Sequence, residues 1–459
     1  MRFLGDTIAA ISTALGESGI GIVRLSGPDS LAILRRLFLP KGGGKYPPFS
    51  SHRLRYGLIV DPVSGQTVDE VLAVYMRAPH TYTREDVAEI DCHGGPLPTQ
   101  RVLALALASG ARLAQPGEFT LRAFVNGRLD LAQAESVMDV VRAQTEASLR
   151  VAVGQLQGNL SQRVRSLRQD ILSLLAYLTA SVEFSEDEMP ELAVQPRLLA
   201  LIEKVKDLLE TAEAGLIYRQ GARVAIVGRP NVGKSSLLNA LLRQDRAIVT
   251  PVPGTTRDTL EETANLKGVP VVFVDTAGIT PTDDPVERLG VERSRQALGR
   301  ADLVLLVLDA SQPLQPLDLA LREDIGNRPL LVVLNKSDLL SPTTQAEARD
   351  RLAADPVMLT SALTGAGLAE LEEAIVAKVL GGAGLGASAV LVSNPRHQGA
   401  LARALEHLED ALDAYRAGLP VDLLSIDLAA AADALGEVTG ETVNEDLLDT
   451  IFSQFCVGK

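Results

Sequence analysis

The sequence has few of the residues that mark several other classes of protein. Tryptophan is absent, aromatic residues make up 3% of the chain, and the only cysteines are Cys92 and Cys456. Two cysteines cannot form the disulfide framework of a small secreted domain, and so few aromatic residues require an aliphatic core. No apolar run reaches the length of a membrane span, and the first residues lack the apolar stretch of a secretory signal. We therefore expect a cytoplasmic protein without a membrane partner.

Positive charge is also in deficit. The chain has 44 basic and 58 acidic residues, a net charge of −14. A protein that coats nucleic acid carries a broad basic face, so this class is disfavoured, although one local patch can still bind RNA. At 459 residues the chain exceeds the size of one ordinary core, and two or three domains are expected.

The sequence has three regions that differ in their pattern of apolar residues. Residues 1–118 contain short β-like runs such as GIGIVRLSG and VAEIDCHGG, which indicate a compact α+β domain. Residues 119–218 and 381–459 repeat leucine every three or four positions, which predicts a bundle of α-helices. Between them, residues 219–380 contain continuous apolar runs (VAIVG, VVFVD, LVLLVLD and LLVVLN) that are typical of a parallel sheet covered on both faces. The fold class is a multidomain protein in which an α/β domain is inserted into a helical one.

The inserted domain carries a phosphate-binding loop. The stretch GRPNVGKSS follows the strand-like RVAIV and precedes the helix-like SLLNALL. Its glycines, Gly228 and Gly233, allow backbone N–H groups to turn inward, Lys234 reaches the β- and γ-phosphates, and Ser235 binds Mg²⁺. With the strand and helix in place, the motif favours nucleotide binding over a chance glycine-rich turn.

A second motif selects guanine. In NKSD, Asn335 would contact the base edge, the stem of Lys336 would cover the ring, and the carboxylate of Asp338 would accept the guanine N1–H and N2–H₂ donors. The stretch SAL, from Ser361, would offer a backbone N–H to the guanine oxygen. Asp275 would hold Mg²⁺ through water, and Gly278 would donate to the γ-phosphate. These motifs follow the order of a P-loop GTPase of the Ras-like TRAFAC class.

The sequence therefore predicts GTP and Mg²⁺ as ligands. The expected Mg²⁺ ligands are Ser235 and Thr256. The expected nucleotide-binding residues are Gly228, Asn231, Val232, Gly233, Lys234, Ser235, Ser236, Thr250, Thr255, Thr256, Asp275, Thr276, Ala277, Gly278, Asn335, Lys336, Asp338, Ser361 and Ala362. Lys234 is also a catalytic candidate.

The residues leave the hydrolytic machinery open. Ile279 stands where many GTPases have a glutamine that orients the attacking water. The nearby acids Asp283, Asp284 and Glu287 are suited either to orienting water or to the solvated start of a helix. The transition state also needs a cation. One candidate is K⁺, bound by the Asn231 amide and loop carbonyls. The other is Arg257, although an ion pair with Asp258 would explain the presence of this arginine equally well.

The chain resembles the tRNA modification GTPase MnmE (TrmE) family over nearly its whole length. The similarity lies in DTIAAISTALGESGIGIVRLSG, YTREDVAEIDCHGGP, QPGEFTLRAFVNGRLDLAQAE and the C-terminal GEVTGETVNEDLLDTIFSQFCVGK. The resemblance implies a folate-binding and dimerising domain at 1–118, a helical domain at 119–218 and 381–459, and a G domain at 219–380. It also implies hydrolysis stimulated by K⁺, with Asn231, Thr250, Val252 and Thr255 as K⁺ ligands and Glu287 as the catalytic residue that orients water indirectly.

The resemblance further implies a folate site and macromolecular partners. A 5-formyl- or methylene-tetrahydrofolate would be bound by Arg24, Glu89, Arg128 and Lys459, because Arg and Lys suit its carboxylates and Glu suits the donor edge of the pterin. A homodimer would join the FAD-dependent MnmG in a heterotetramer that modifies carbon 5 of the wobble uridine of certain tRNAs.

Cys456 and the overall function each have alternatives. Cys456 is a catalytic candidate because the family ends in Cys-x-Gly-Lys, and the alternative is a small buried hydrophobic residue. One alternative function is a ribosome-associated assembly GTPase that binds partners without modifying RNA. Another is a folate-dependent transferase that its GTPase domain regulates.

Overall fold

The computed structural model describes residues 5–41, 49–183, 193–244, 261–275, 298–340, 356–381 and 391–459. The chain divides into two compact units, of which one contains Met1–Met138 and Gly436–Lys459 and the other Asp139–Leu435. Among the helices in these described ranges, none is long and apolar enough to cross a membrane.

The first unit is built on a seven-stranded sheet. Its elements are β1 (Ile8–Ile11), β2 (Ser18–Ser26), α1 (Ser30–Leu37), β3 (Phe38–Pro40), β4 (Arg55–Val60), β5 (Thr67–Met76), β6 (Val87–Gly94), α2 (Pro96–Ala108), β7 (Arg112–Leu113), α3 (Glu118–Val125) and α14 (Glu445–Phe452). The strand order is β3-β4-β5-β6-β2-β1-β7, in which β7 runs parallel to β1 and the other neighbours are antiparallel. The α+β character predicted for this region is confirmed.

Successive side chains of β2 point alternately to the two faces of this sheet. Val23 and Leu25 are buried in a core that includes residues of α1 and α2, such as Leu34 and Val102. Because successive side chains of a strand point to opposite faces, Arg24 lies on the other face of the sheet from this core.

The C-terminal residues join the same unit through apolar contacts. Phe452 and Phe455 belong to one buried cluster with Leu131 and Met138, and the two phenylalanine rings lie 5.4 Å apart. Strand-like pairing of Val457 with Pro116 then holds the last residues of the chain against the N-terminal part of the unit.

The second unit combines helices with a six-stranded sheet. Its elements are α5 (Glu146–Leu156), α6 (Asn159–Glu183), α7 (Val194–Glu210), α8 (Ala212–Gln220), β8 (Ala222–Val227), α9 (Lys234–Gln244), β9 (Glu261–Leu266), β10 (Val269–Asp275), β11 (Leu303–Asp309), α10 (Pro316–Ile325), β12 (Leu330–Asn335), β13 (Val357–Leu359), α11 (Leu368–Val379) and α12 (Pro395–Arg416). Helices α4 (Leu131–Arg142) and α13 (Val421–Thr439) contribute residues to both units.

The leucine repeats form the expected buried stripes. On α7, Leu198, Leu201 and Val205 recur at helical spacing and are all buried, as one face of an amphipathic helix requires. Leu401 and Leu408 do the same on α12. The prediction of packed helices both before and after the inserted domain in the sequence is therefore confirmed.

The four apolar runs of the inserted domain form parallel strands, as predicted, but one further strand makes the sheet mixed. Its strand order is β13-β12-β11-β8-β10-β9, and β9 pairs antiparallel with β10. The cause is a two-residue turn at Lys267 and Gly268, which have φ values of 49° and 93° and pair Leu266 with Val269. Positive φ at both turn positions matches the twist of a hairpin. The remaining strands are parallel.

Candidate functional site

The predicted nucleotide site lies at the edge where the parallel strands of the inserted sheet end. Strand β8 is flanked by β10 on one side and by β11 on the other. The chain runs from β8 to β10, then crosses to β11, so the direction of winding reverses beside β8. Ligands of open α/β sheets bind at such a reversal, outside the carboxyl ends of the strands.

The loop after β8 approaches neighbouring backbone too closely for side chains. A Cβ atom at Gly228 would collide with the carbonyl oxygen of Val307 on β11, and one at Gly233 would collide with the amide of Asn335. Gly233 also has a φ of 95°, which an L-residue adopts only with strain. Both glycines of the predicted phosphate-binding loop are therefore required by its geometry.

Lys234 is oriented as a phosphate-binding lysine should be. It begins α9, and its Nζ donates to the carbonyl oxygens of Gly228 and Arg229 at 2.8 and 2.9 Å. The ammonium therefore lies over the loop, where the backbone and the start of α9 favour an anion. Ser235 and Ser236 follow in the first helical turn and are exposed, so the hydroxyl of Ser235 fits the predicted role of Mg²⁺ ligand.

Asn335 links the phosphate loop with the loop after β13. Its side chain is buried, donates from Nδ2 to the carbonyl oxygen of Val232 at 3.0 Å, and accepts at Oδ1 from the N–H of Ala362 at 3.1 Å. The two loops are thus held in one arrangement by a single amide. The predicted contact of Asn335 with the base edge stays a prediction.

Asp338 and Ser361, both predicted to recognise the base, are in contact with each other. Ser361 Oγ donates to Asp338 Oδ1 at 2.5 Å, which fixes one carboxylate oxygen and leaves the other for donors of a base. Lys336 Nζ donates to the carbonyl oxygen of the exposed Asn231 at 2.9 Å. The predicted guanine loop and the predicted cation ligand are thereby in direct contact.

Other predicted residues lie outside the described part of the chain. They are Thr250, Val252, Thr255, Thr256, Thr276, Ala277, Gly278 and Glu287, together with the alternatives Arg257, Asp258, Ile279, Asp283 and Asp284. Asp275 ends β10, where its backbone is in register with Ile226 of β8. Its position at the carboxyl end of a central strand agrees with the expected edge.

The sequence reasoning missed two acids at this edge. Asp309, the last residue of β11, is 5% exposed and accepts from Lys336 Nζ at 2.7 Å. Asp318 on α10 is 2% exposed and accepts from Arg229 Nε at 2.7 Å. The signal for Asp309 was its place at the end of the run LVLLVLD. Nothing in the local sequence pointed to Asp318.

The predicted folate residues lie in the first unit. Arg24 Nε donates to Glu89 Oε1 at 2.7 Å across β2 and β6, so these two form an ion pair on the sheet face opposite α1 and α2. On this face the Arg24 guanidinium lies over the Phe119 ring of α3 at 5.7 Å. Arg128 lies over the Tyr82 ring at 4.8 Å and donates to the Tyr82 carbonyl oxygen. Burial raises the pKa of Tyr82, and the charges of Arg128 and Arg24 oppose this shift. Tyr82, which the sequence reasoning missed, therefore lies near both arginines.

Lys459 and Cys456 are in the C-terminal segment of the same unit. The carbonyl oxygen of Cys456 accepts from the N–H groups of Gly117 and Lys459, and Gly458 packs against the backbone of Ile11 at the end of β1. Cys456 is exposed, so the alternative that it is a buried hydrophobic residue is wrong. Its predicted catalytic role stays a prediction.

The strand, loop and helix around Lys234, together with the base-recognition loop at Asp338, define a P-loop GTPase domain. Two family models match the chain: "GTP-binding protein TrmE N-terminus" over residues 7–128 and "MnmE helical domain" over residues 131–456. The tRNA modification GTPase MnmE of Roseiflexus sp. (strain RS-1) is 54% identical over 462 residues, which cover 99% of each chain. That of Alkaliphilus metalliredigens (strain QYMF) is 49% identical over 460 residues, which cover all of both.

The chain therefore belongs to the MnmE family of tRNA modification GTPases. The resemblance drawn from its terminal motifs is confirmed, as is the predicted fold class of an N-terminal domain, a helical domain and a P-loop GTPase domain. The chain is accordingly a GTP hydrolase.

Proposed function

We propose that the chain is a K⁺-stimulated GTPase that acts with an FAD-dependent MnmG-type partner. Together they would add an aminomethyl or carboxymethylaminomethyl group to carbon 5 of the wobble uridine of certain tRNAs. The relatives at 54% and 49% identity carry the name tRNA modification GTPase. The observation that carries the proposal is the linked arrangement of Lys234, Asn335 and Asp338 at one sheet edge.

In the proposed nucleotide site, each group at that edge has a role. Lys234 and the loop N–H groups would bind the phosphates, Ser235 and Thr256 would hold Mg²⁺, and Asp338 would select guanine. Mg²⁺ supplies charge stabilisation between the β- and γ-phosphates when bound. Glu287 would orient the attacking water, a role that rests on the family resemblance.

The monovalent cation would be bound by Asn231. This residue is exposed and has a φ of 64°, a left-handed conformation that asparagine tolerates better than most residues. Its amide oxygen, with carbonyl groups of Thr250 and Val252 and with Thr255, would form an oxygen-rich ligand set of the kind that K⁺ accepts. The positive charge would then replace an arginine finger.

A reduced folate would occupy the open face near Arg24, Glu89 and Arg128, with Lys459 beside it, and would supply the one-carbon unit. These residues offer cations for the folate carboxylates, a carboxylate for the pterin donors and the Tyr82 ring against Arg128. Such charge-assisted hydrogen bonds are the strong ones in protein sites. The proposed domain limits remain 1–118, 119–218 with 381–459, and 219–380.

The folate assignment predicts that Arg24→Ala weakens binding of 5-formyl-tetrahydrofolate by at least tenfold, because a charge-assisted hydrogen bond contributes about 1.5–3 kcal/mol. Isothermal titration calorimetry of the full chain measures the affinity. Arg36→Ala is the matched control, since Arg36 is exposed on α1, whose buried residues pack on the opposite sheet face. Equal affinities for Arg24→Ala and wild type would contradict the site.

The modification itself is tested by mass spectrometry of tRNA nucleosides from cells that lack this gene. We expect loss of a carbon-5-substituted wobble uridine, its restoration by the wild-type chain, and no restoration by Glu287→Ala, which should still bind GTP. An unchanged nucleoside profile in the deleted strain would favour an assembly GTPase instead. Restoration by a Glu287→Ala chain with no measurable hydrolysis would separate modification from GTP turnover.

The assembly of partners is proposed from the same family relationship. A homodimer of this chain would bind two copies of the FAD-dependent partner, and the heterotetramer would act on tRNA. The acidic net charge of −14 makes a broad RNA-coating surface on this chain improbable on electrostatic grounds. We therefore place most of the tRNA contacts on the partner or on a local patch.

A further inference from the structure

Asp309 is a buried carboxylate at the nucleotide edge that none of the roles above uses. It ends β11, and its side chain is 4% exposed. Oδ1 accepts from the N–H and the hydroxyl of Ser311 at 2.9 and 2.6 Å, and Oδ2 accepts from Lys336 Nζ at 2.7 Å. Burial raises the pKa of Asp309, but these hydrogen bonds outweigh it and leave the pKa lowered. The group is therefore a charged partner for Lys336.

Lys336 has a conformation that needs such a partner. Its φ is 62°, in the left-handed region that costs a non-glycine residue about 1–2 kcal/mol. Its ammonium is held at two points, by Asp309 Oδ2 and by the carbonyl oxygen of Asn231. Asn231 itself has a φ of 64°, so one ammonium group joins two residues in the left-handed region.

We propose that Asp309 is a positioning residue for guanine nucleotide binding, that it acts through Lys336, and that Lys336 in turn fixes Asn231. Asp309 does not touch the nucleotide in this scheme. It holds the Lys336 stem where the stem can cover the guanine ring, and it directs the ammonium to the phosphate loop. The statement about Asn231 rests on its proposed role as a cation ligand, whereas the statement about nucleotide binding does not.

Geometry explains why neither neighbouring acid can replace Asp309. Asp338 binds Ser361 through one oxygen and is assigned to the base through the other, and Asp318 pairs with Arg229. Without the Asp309 carboxylate, the ammonium of Lys336 is left with a single carbonyl partner at Asn231. Asp309 is buried and the Lys336 side chain is one third exposed. Removing the carboxylate leaves the ammonium without its charged partner, and the cost falls on the loop proposed to contact the base.

A double-mutant cycle on the full chain tests whether Asp309 acts through Lys336. We expect Asp309→Asn and Lys336→Ala each to speed dissociation of a fluorescent GDP analogue about tenfold, the size expected for a charged hydrogen bond. The double variant should dissociate no faster than Lys336→Ala alone, since both changes break one link. Effects that multiply in the double variant, or an Asp309→Asn rate within twofold of wild type, would overturn the proposal.

Steady-state hydrolysis separates positioning from a general structural role. For Asp309→Asn, KM for GTP should rise about tenfold while kcat at saturating GTP and K⁺ stays within twofold of wild type. Asp302→Asn is the matched control, because Asp302 precedes the same strand and accepts a backbone N–H at its other end. An equal change in Asp302→Asn would contradict a site-specific role.

Two further measurements complete the test: a substitute variant in case Asp309→Asn does not fold, and a separate test of the link to Asn231. If Asp309→Asn does not fold, Ser311→Ala removes the hydroxyl that orients Asp309, and it should speed GDP dissociation two- to threefold, but not in the Lys336→Ala background. An unchanged rate in the Ser311→Ala variant would then overturn the proposal.

The link to Asn231 predicts that Asp309→Asn raises the half-activating K⁺ concentration several-fold, and an unchanged value refutes that link alone. A wild-type chain that needs no K⁺ would refute the cation role, while the GDP cycle still decides the positioning role.

Discussion

At the scale of single residues, the two cysteines show how position decides chemistry. Cys92 lies on β6, is 3% exposed, and donates from Sγ to the carbonyl oxygen of Gly21. Burial, aided by the charge of Asp69, raises the pKa of Cys92 to about 11. Cys456 is exposed near the C-terminus. Because the thiolate is the reactive form of cysteine, the two thiols should differ greatly in reactivity.

We predict that the native chain at pH 8 has one fast-reacting thiol toward a disulfide reagent, and two in guanidinium chloride. Cys456→Ser should remove the fast reaction, and Cys92→Ser should leave it intact. The thiol form of Cys92 is favoured by folding, so its contribution to stability is complete below pH 9 and is lost as the pH rises through about 11. A fast phase that disappears in Cys92→Ser would contradict this assignment.

Residue types and spacing predicted the phosphate and guanine motifs, but they could not predict the contacts between them. Lys234 and Asp338 stand in short motifs whose chemistry is local. Asp309 and Tyr82 acquire their roles from residues far away in sequence, Lys336 and Arg128. A single sequence does not specify such pairings, because an isolated acid or aromatic residue is equally consistent with an ordinary surface or core position.

At the scale of elements, the strands were predictable where apolar residues run continuously. Strands β8, β11 and β12 are such runs, and nearly all of their residues are buried. Strand β9, with the sequence EETANL, was missed because it is an edge strand whose buried positions, Ala264 and Leu266, alternate with polar residues. Its pairing depends on the hairpin turn at Lys267–Gly268 rather than on hydrophobicity.

Gly367 gives a prediction at this scale, because it joins the loop after β13 to α11. Its φ is 73°, and a Cβ atom there would collide with the carbonyl oxygen of Leu359. Gly365 has a φ of 82° with nothing near its Cβ position. Both alanine variants should lose about 1 kcal/mol from backbone strain, and Gly367→Ala should lose about 1–3 kcal/mol more from the clash.

The measurement is the free energy of unfolding in urea, taken from the transition that GDP shifts to higher denaturant, since a ligand stabilises the domain that binds it. Gly365→Ala serves as the matched control for backbone strain. Equal losses in the two variants would show that the approach of Gly367 to Leu359 is not a constraint on the loop.

At the scale of the whole molecule, the two units carry polar groups of different chemistry. The first unit carries the paired charges of Arg24 and Glu89, and the second carries the phosphate and guanine loops. The motifs near the two ends of the sequence were sufficient to assign the family, although all of them lie in the first unit. The other residues predicted for the hydrolytic site fall in 245–260 and 276–297, which lie outside the described residues.

Whether a cation held at Asn231 completes the hydrolytic site is measured most directly by GTP hydrolysis at equal concentrations of KCl and NaCl. We predict at least tenfold faster turnover in KCl for the wild-type chain. Asn231→Ala should lose most of this difference, while Asn327→Ala, at an exposed position before β12, should keep it. Equal rates in the two salts for the wild type, or a full K⁺ response in Asn231→Ala, would contradict the proposed catalytic site.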